Sequence, residues 1–462
     1  MRVLFVVAVL LLVGCGKDAG HGHARPATTP VTAPAGSGLS GTPSATGQGY
    51  PDWPTYHGDA ARGGVSTTMP PVRGTLKVTA ALRLDGQVYA SPIVGRGVTI
   101  VATENNSVYA FDAANHELWR AKLGRPSPAG ERPCGNIDPL GITGTPVYSN
   151  GMVYVAAEYG GPPRHELVAL DAANGAVRWR KGIDLPGADP AAMQERGALT
   201  VTGTRVWVPF GGLFGDCGDY KGRIIGVSLD GLGAPVSYTV PTARRGGIWT
   251  PPGPSVDPTG HLYVSAGNGA SGPGDRYDHS DSVLELGTDA KLVDSFSPAT
   301  WATDNDNDLD LGSQGPALVG QWIFIAGKSG TAYVLRQAHL GGIGGEISQA
   351  PLCPSFGGTA VVGNVVYVPC TDGLRAVRID GAGSIHMLWH ASGSIAGSPV
   401  IGGGRVWSLD AAGGILHALD STTGRSLAQI NVGRVTRFAT PAISGNRLLV
   451  PTESGLSVVT TS

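Results

Sequence analysis

The sequence predicts an all-β fold, an eight-bladed β-propeller of four-stranded antiparallel blades, and three observations carry that prediction. One short unit recurs eight times after residue 90: a residue that is Pro in six copies opens a small apolar strand, a Gly-containing turn follows, and a second strand rich in Val, Ile, Tyr or Trp comes next. The anchors fall at Pro92, Pro146, Leu199, Pro254, Pro316, Thr359, Pro399 and Pro441, as in "PIVGRGVTIV", "PVYSNGMVYV" and "PALVGQWIFI". Successive anchors lie 54, 53, 55, 62, 43, 40 and 42 residues apart, the period of a four-stranded blade. Finally, 72 Gly and 34 Pro accompany 41% hydrophobic residues, the balance of an ordered body with many tight turns rather than of a disordered chain.

The chain opens with Arg2, an unbroken apolar run from Val3 to Val13, and then Gly14 and Cys15. That run is too short to span a bilayer with margin, and it ends in a small residue and a Cys. Residues 1–15 resemble the bacterial lipoprotein signal, which implies cleavage before Cys15, lipid on its thiol and an anchor on the extracytoplasmic side of the cell membrane. Residues 16–48 shift to Gly, Ser, Thr, Ala and Pro without apolar periodicity, so they cannot bury enough surface to fold and read as a disordered linker. A net charge of −2 with 15% charged residues gives no electrostatic footprint for nucleic acid.

Residues 49–462 form the propeller, expected as a monomer, and it must close. The last copy, "PAISGNRLLVPTESGLSVVTT", supplies about three strands, whereas "TLKVTAALRLDG" at 75–86 precedes the first anchor and reads as an outer strand. The expectation is that this strand completes the last blade, which removes two exposed edges. Several copies then run from a third strand through Asp and a Gly-bearing turn into a fourth, as in "LVALDAANGAVRW". Trp119 and Trp179 follow Asp112 and Asp171 by seven and eight residues and are expected to pack between neighbouring blades.

This strand-Asp-turn-Trp unit, over roughly 75–462, resembles the repeat of quinoprotein-like propellers: the pyrroloquinoline quinone (PQQ) dehydrogenases and non-catalytic relatives such as the outer-membrane barrel-assembly lipoprotein. The repeat implies the fold and leaves function open. In an antiparallel blade the start of the first strand lies beside the end of the second, so Trp249, Asn268, Asp308, Asp310, Lys328 and Asp216 should share one face of loops. "GGIWTPPGPSVDPTGHLYVSAGNGA" looks like the dehydrogenase segment in which a Trp stacks under PQQ and an Asn coordinates calcium, roles that would fall on Trp249 and Asn268. "DNDNDLDLGSQGP" is similar to the segment that supplies the catalytic base, here Asp308 or Asp310, and "AGKSGTAYVL" to the one whose basic side chain, here Lys328, contacts the quinone. An indole floor, hard oxygen ligands for Ca²⁺ and a carboxylate that takes a proton suit that chemistry.

Three departures point away from it. The family's acidic calcium ligand aligns with Cys217, with Asp216 one place off, and there is neither a vicinal Cys pair nor a C-x-x-C-H for haem. Two functions therefore stand: a PQQ and Ca²⁺ site of dehydrogenase type, or a non-catalytic scaffold for envelope protein partners. A carboxylate from Asp216 or Asp219 reaching Asn268 favours the first, and a disulfide in that place the second. Beyond Cys15 an even number of cysteines remains in an exported chain. Blade topology places Cys353 and Cys370 at one rim of one blade, and Cys134 and Cys217 on the same face of adjacent blades, predicting Cys353–Cys370 and Cys134–Cys217.

Overall fold

The computed structural model describes residues 51–462, so Cys15, the 1–15 signal and the 16–48 linker lie outside the described residues. Eight sheets follow one another along the chain, antiparallel except where the short strand Gly342–Ile343 joins Leu292–Ser297 in parallel. Strands A to D run outward from the axis, and every strand A begins one residue after its predicted anchor, from Ile93–Gly95 in blade 1 to Ala442–Ser444 in blade 8. Proline is tolerated there because the ladder has not yet begun. Blade 8 takes its outer strand from Leu76–Arg83, which pairs with Gly455–Thr461 and closes the ring as expected.

The inner strands do not alternate. In blade 1 Ser107–Phe111 is buried at every residue, whereas the outer Glu117–Lys122 is largely exposed. A blade is covered on both faces by its neighbours, so its inner strands read as continuous apolar runs. Ile93, Ile100 and Val108 of blade 1 accordingly share one core with Val153, Val155 and Val168 of blade 2.

The tryptophans seal the rim between blades. Trp119 Nε1 donates to the Ala172 carbonyl in the turn of blade 2 at 3.0 Å, and Trp179 Nε1 to Leu229 of blade 3 at 3.2 Å. Trp389 repeats the contact on Ser421 of blade 7 at 3.2 Å, a copy the sequence pattern did not single out. Each indole lies on a glycine of the next turn: a Cβ on Gly175 would sit 2.4 Å from Trp119, and at φ +72° only glycine adopts that backbone readily.

Residues 51–66 have no role in the repeat, and they fill the axis. Their backbone meets strand A of blades 1, 4, 6 and 7 through Trp53–Val94, Ala60–Val256, Gly63–Val361 and Gly64–Ile401. Pro54 accepts from Tyr148 of blade 2, and Pro51 from the Ser444 hydroxyl of blade 8. Only a segment on the axis can touch so many inner strands. Arg62 pins it: its buried guanidinium donates to the Pro254 and Leu199 carbonyls of blades 4 and 3, both at 3.1 Å.

Candidate functional site

The singled-out residues of blades 4 and 5 converge on the face that carries the B–C loops. Trp249 precedes strand A of blade 4 (Ser255–Val256), and Asn268 follows its strand B (Leu262–Ala266). Asp308 and Asp310 stand between a short helix, Trp301–Asn307, and strand A of blade 5 (Ala317–Val319), while Lys328 follows strand B (Trp322–Ala326). The helix occupies what the sequence presented as an acidic loop, and Asp308 is its left-handed C-cap. Glycines let the loops touch: a Cβ on Gly312 would lie 2.4 Å from the Gly267 backbone.

One ammonium organises the cluster. Lys328 Nζ bonds Asp308 Oδ1 and, at 2.8 Å, Asp310 Oδ2, and lies 5.8 Å from the centre of the Trp249 ring. Asn268 Nδ2 donates to Asp308 Oδ1 at 2.6 Å. Burial works against the Lys328 charge, but the Asp310 and Asp308 carboxylates outweigh it and hold its pKa above the ordinary lysine value. Asp310 is buried, and that burial raises its pKa in spite of Lys328.

A further aspartate completes the network. Asp281, in the B–C loop of blade 4, is fully buried and accepts from Leu311 N at 2.6 Å. Burial, then repulsion from Asp310, pushes its pKa well above the ordinary aspartate value. Asp216, Arg245, His279, Asp281 and Asp308 all carry φ between 46° and 67° without being glycine. Non-glycine residues in that region concentrate where surrounding contacts override local preference, as at built sites.

The calcium ligands do not assemble as the family pattern implies. Asp216 Oδ1 accepts from the Tyr220 hydroxyl at 2.5 Å, and the partner of Asn268 is Asp308. Cys217 is joined to Cys134, and Cys353 to Cys370, both as the blade topology predicted. Calcium takes six to eight oxygens. Among the described residues no three His, Cys, Asp or Glu side chains come together to hold a metal ion. The Lys328 ammonium supplies the positive charge between the carboxylates, so the donor set is that of an internal ion pair.

The same face buries a second group that the motifs did not indicate, because its members lie far apart in sequence. Glu104, Glu158, Glu195 and His165 come from blades 1 to 3 and are nearly inaccessible. His165 bridges Glu158 at 3.3 Å and Asp184 at 2.8 Å; burial opposes its charge, yet the two carboxylates carry its pKa up to about 10. Burial raises Glu104 to about 7.

Residues 90–272 match the family model described as outer membrane protein assembly factor BamB. Among solved structures the chain is similar to BamB from Moraxella catarrhalis, with 18% identity, 84% of this chain and 98% of that one covered and a TM-score of 0.56. It is also similar to the computationally designed Ika8 protein, with 12% identity, 82% and 98% coverage and a TM-score of 0.51. No curated protein matches the sequence. At these identities the likeness speaks for architecture. Repeat, topology and matches together identify the chain as an eight-bladed β-propeller of PQQ-like repeats.

Proposed function

We propose that this chain is a non-catalytic scaffold, anchored to the extracytoplasmic side of the cell membrane by lipid on Cys15, that offers its B–C loop face to envelope proteins. The observation that carries the reading is the ion-paired network itself. Lys328 and the two aspartates, the residues that would contact a quinone and take a proton, are ion-paired with one another. The position of the acidic calcium ligand is taken by the Cys217–Cys134 disulfide. Two large apolar side chains, Phe214 and Leu309, are exposed on the same face. The matching family model is described as an assembly factor, which supports protein partners as the ligand class.

A second reading, a PQQ and Ca²⁺ site, is favoured by one observation. Trp249, Asn268, Asp308, Asp310 and Lys328 do converge, and Asn268 Oδ1 and Asp310 Oδ1 are buried without a hydrogen-bond partner. Calorimetry with PQQ and Ca²⁺ separates the two: the scaffold reading expects no saturable heat. Saturable binding that Trp249→Ala and Asn268→Ala both weaken would replace it with the quinone site. The anchor is tested independently, since the Cys15→Ser protein should leave the membrane fraction.

A further inference from the structure

The anchors of the repeat fix a second register. Three residues before each anchor, where the chain enters strand A on the B–C loop face, blades 1, 2, 3, 4, 6 and 8 place Tyr89, Thr143, Arg196, Pro251, Phe356 and Phe438. Five of the six, all but Phe356, line one small hollow together with Tyr56 of the axial segment. Residues from blades 1 to 4 and 8 can share a hollow only on the axis, so this register forms a ring at its mouth. The hollow measures about 10 Å³, room for one water at most, and Tyr56 floors it. Phe356 belongs to a wider hollow of about 300 Å³ between blades 6 and 7, which Phe438 and Arg437 also line.

Two guanidiniums gather on this ring. Arg196 lies over the Phe438 ring at 4.6 Å, and Arg437 lies over the same ring at 5.1 Å and over Phe356 at 4.9 Å. A guanidinium that lays its face on an aromatic ring keeps its in-plane N–H donors for other partners. Among the described residues neither arginine is hydrogen-bonded or ion-paired, whereas Arg62 on the same axis spends its donors on carbonyls and hydroxyls. Burial, aided by Arg437, lowers the Arg196 pKa to about 10, which leaves it cationic at neutral pH.

The carboxylates at hand are engaged elsewhere. Asp410, on the wider hollow, accepts from the Ser394 hydroxyl at 2.6 Å and the Gly413 amide at 3.0 Å. Glu104, whose field reaches Arg196, accepts from the Gly141 amide at 2.7 Å. Two like charges are thus held on one ring with no counter-ion among the described residues. The guanidinium fork matches a carboxylate in two parallel hydrogen bonds, and carboxylates are the anions that a protein carries without modification.

We propose that the axial mouth binds an acidic segment of a protein partner, with a carboxylate on Arg196 and Arg437 and a neighbouring apolar side chain in the hollow beside Phe356. This rests on the scaffold reading and names the chemistry of its partner. Titration calorimetry of the purified full chain with the peptide acetyl-Glu-Leu-Glu-amide, against acetyl-Gln-Leu-Gln-amide and inorganic phosphate, tests it. The expected result is saturable binding of the acidic peptide alone, weakened about tenfold or more by Arg196→Gln and by Arg437→Gln. Arg425→Gln, in the C–D turn of blade 7, should leave it unchanged. Should Arg196→Gln fail to fold, Arg437→Gln, at an exposed position, carries the test. An acidic peptide that does not saturate, equal affinity for the Gln peptide, or unchanged affinity in the arginine variants would overturn the site, and saturable phosphate binding lost in the same variants would reassign it to a free oxyanion. Each of these leaves the scaffold reading to its own test, the calorimetry with PQQ and Ca²⁺.

Discussion

At the rim of blades 1, 2 and 6 a tryptophan lies on the turn of the next blade, and the contact needs no charge; above blades 4 and 5 a lysine lies between two aspartates, and the contact consists of charge. The rim contact recurs because its parts are local: an alanine, an indole across the ladder and a glycine at positive φ one blade on. The Lys328 network occurs at one place and draws on segments from Trp249 to Lys328. A repeat can therefore be mutated at one rim with purely structural consequences, whereas the network couples every member to the burial of Asp310.

The largest effect is expected at the rim. Trp119→Ala removes a buried indole and its hydrogen bond, and should cost about 3–5 kcal/mol in denaturant unfolding. If Trp119→Ala proves as mild as an exposed substitution, the tryptophans are not what joins the blades. Next is the disulfide that ties the loop before blade 2 to blade 3. Cys134→Ser with Cys217→Ser opens a loop of 83 residues, worth about 4.5 kcal/mol in the chain-entropy model. The 17-residue loop of Cys353–Cys370 is worth about 3 kcal/mol in the same model, so the first pair should lower the unfolding midpoint more than the second.

Lys328→Ala sharpens the other side of the comparison. It leaves Asp310 buried without its cation and should cost about 3 kcal/mol, and adding Asp310→Asn should return most of that loss. Additive losses would show that the two do not act as a pair. The smallest effect concerns pH. Glu104 titrates at about 7 in the fold against 4.5 in the unfolded chain, so the folded state binds the extra proton. Its contribution is complete below pH 4.5 and is lost as pH rises through about 7. Glu104→Gln should therefore melt at a higher temperature than wild type at pH 8, by about 1–3 kcal/mol of stability, with little difference at pH 4.5.

What was legible in the sequence follows the same division. Strand starts were legible because proline and the turn after strand A are local signals, and the face shared by Trp249, Asn268, Asp310 and Lys328 followed from antiparallel geometry alone. Both disulfides were legible for that reason. Asp281 was not, because nothing near it in sequence says that its loop folds under Leu311. The short helix at Trp301–Asn307 was missed because its Asp and Asn residues favour turns over helix interiors.

The axial segment has a consequence for how the protein is made. Residues 51–66 and the strand Leu76–Arg83 are translated before any blade, yet they rest on Ile401, Ser444 and Gly455–Thr461. During synthesis these early residues must wait, unpaired, while more than three hundred others arrive. The ring can be latched only after blade 8 has emerged, so truncation anywhere upstream of Gly455 leaves an open arc with a bare strand edge at each end. Completeness is thus written into one contact: the strand Leu76–Arg83 finds its partner in finished molecules alone.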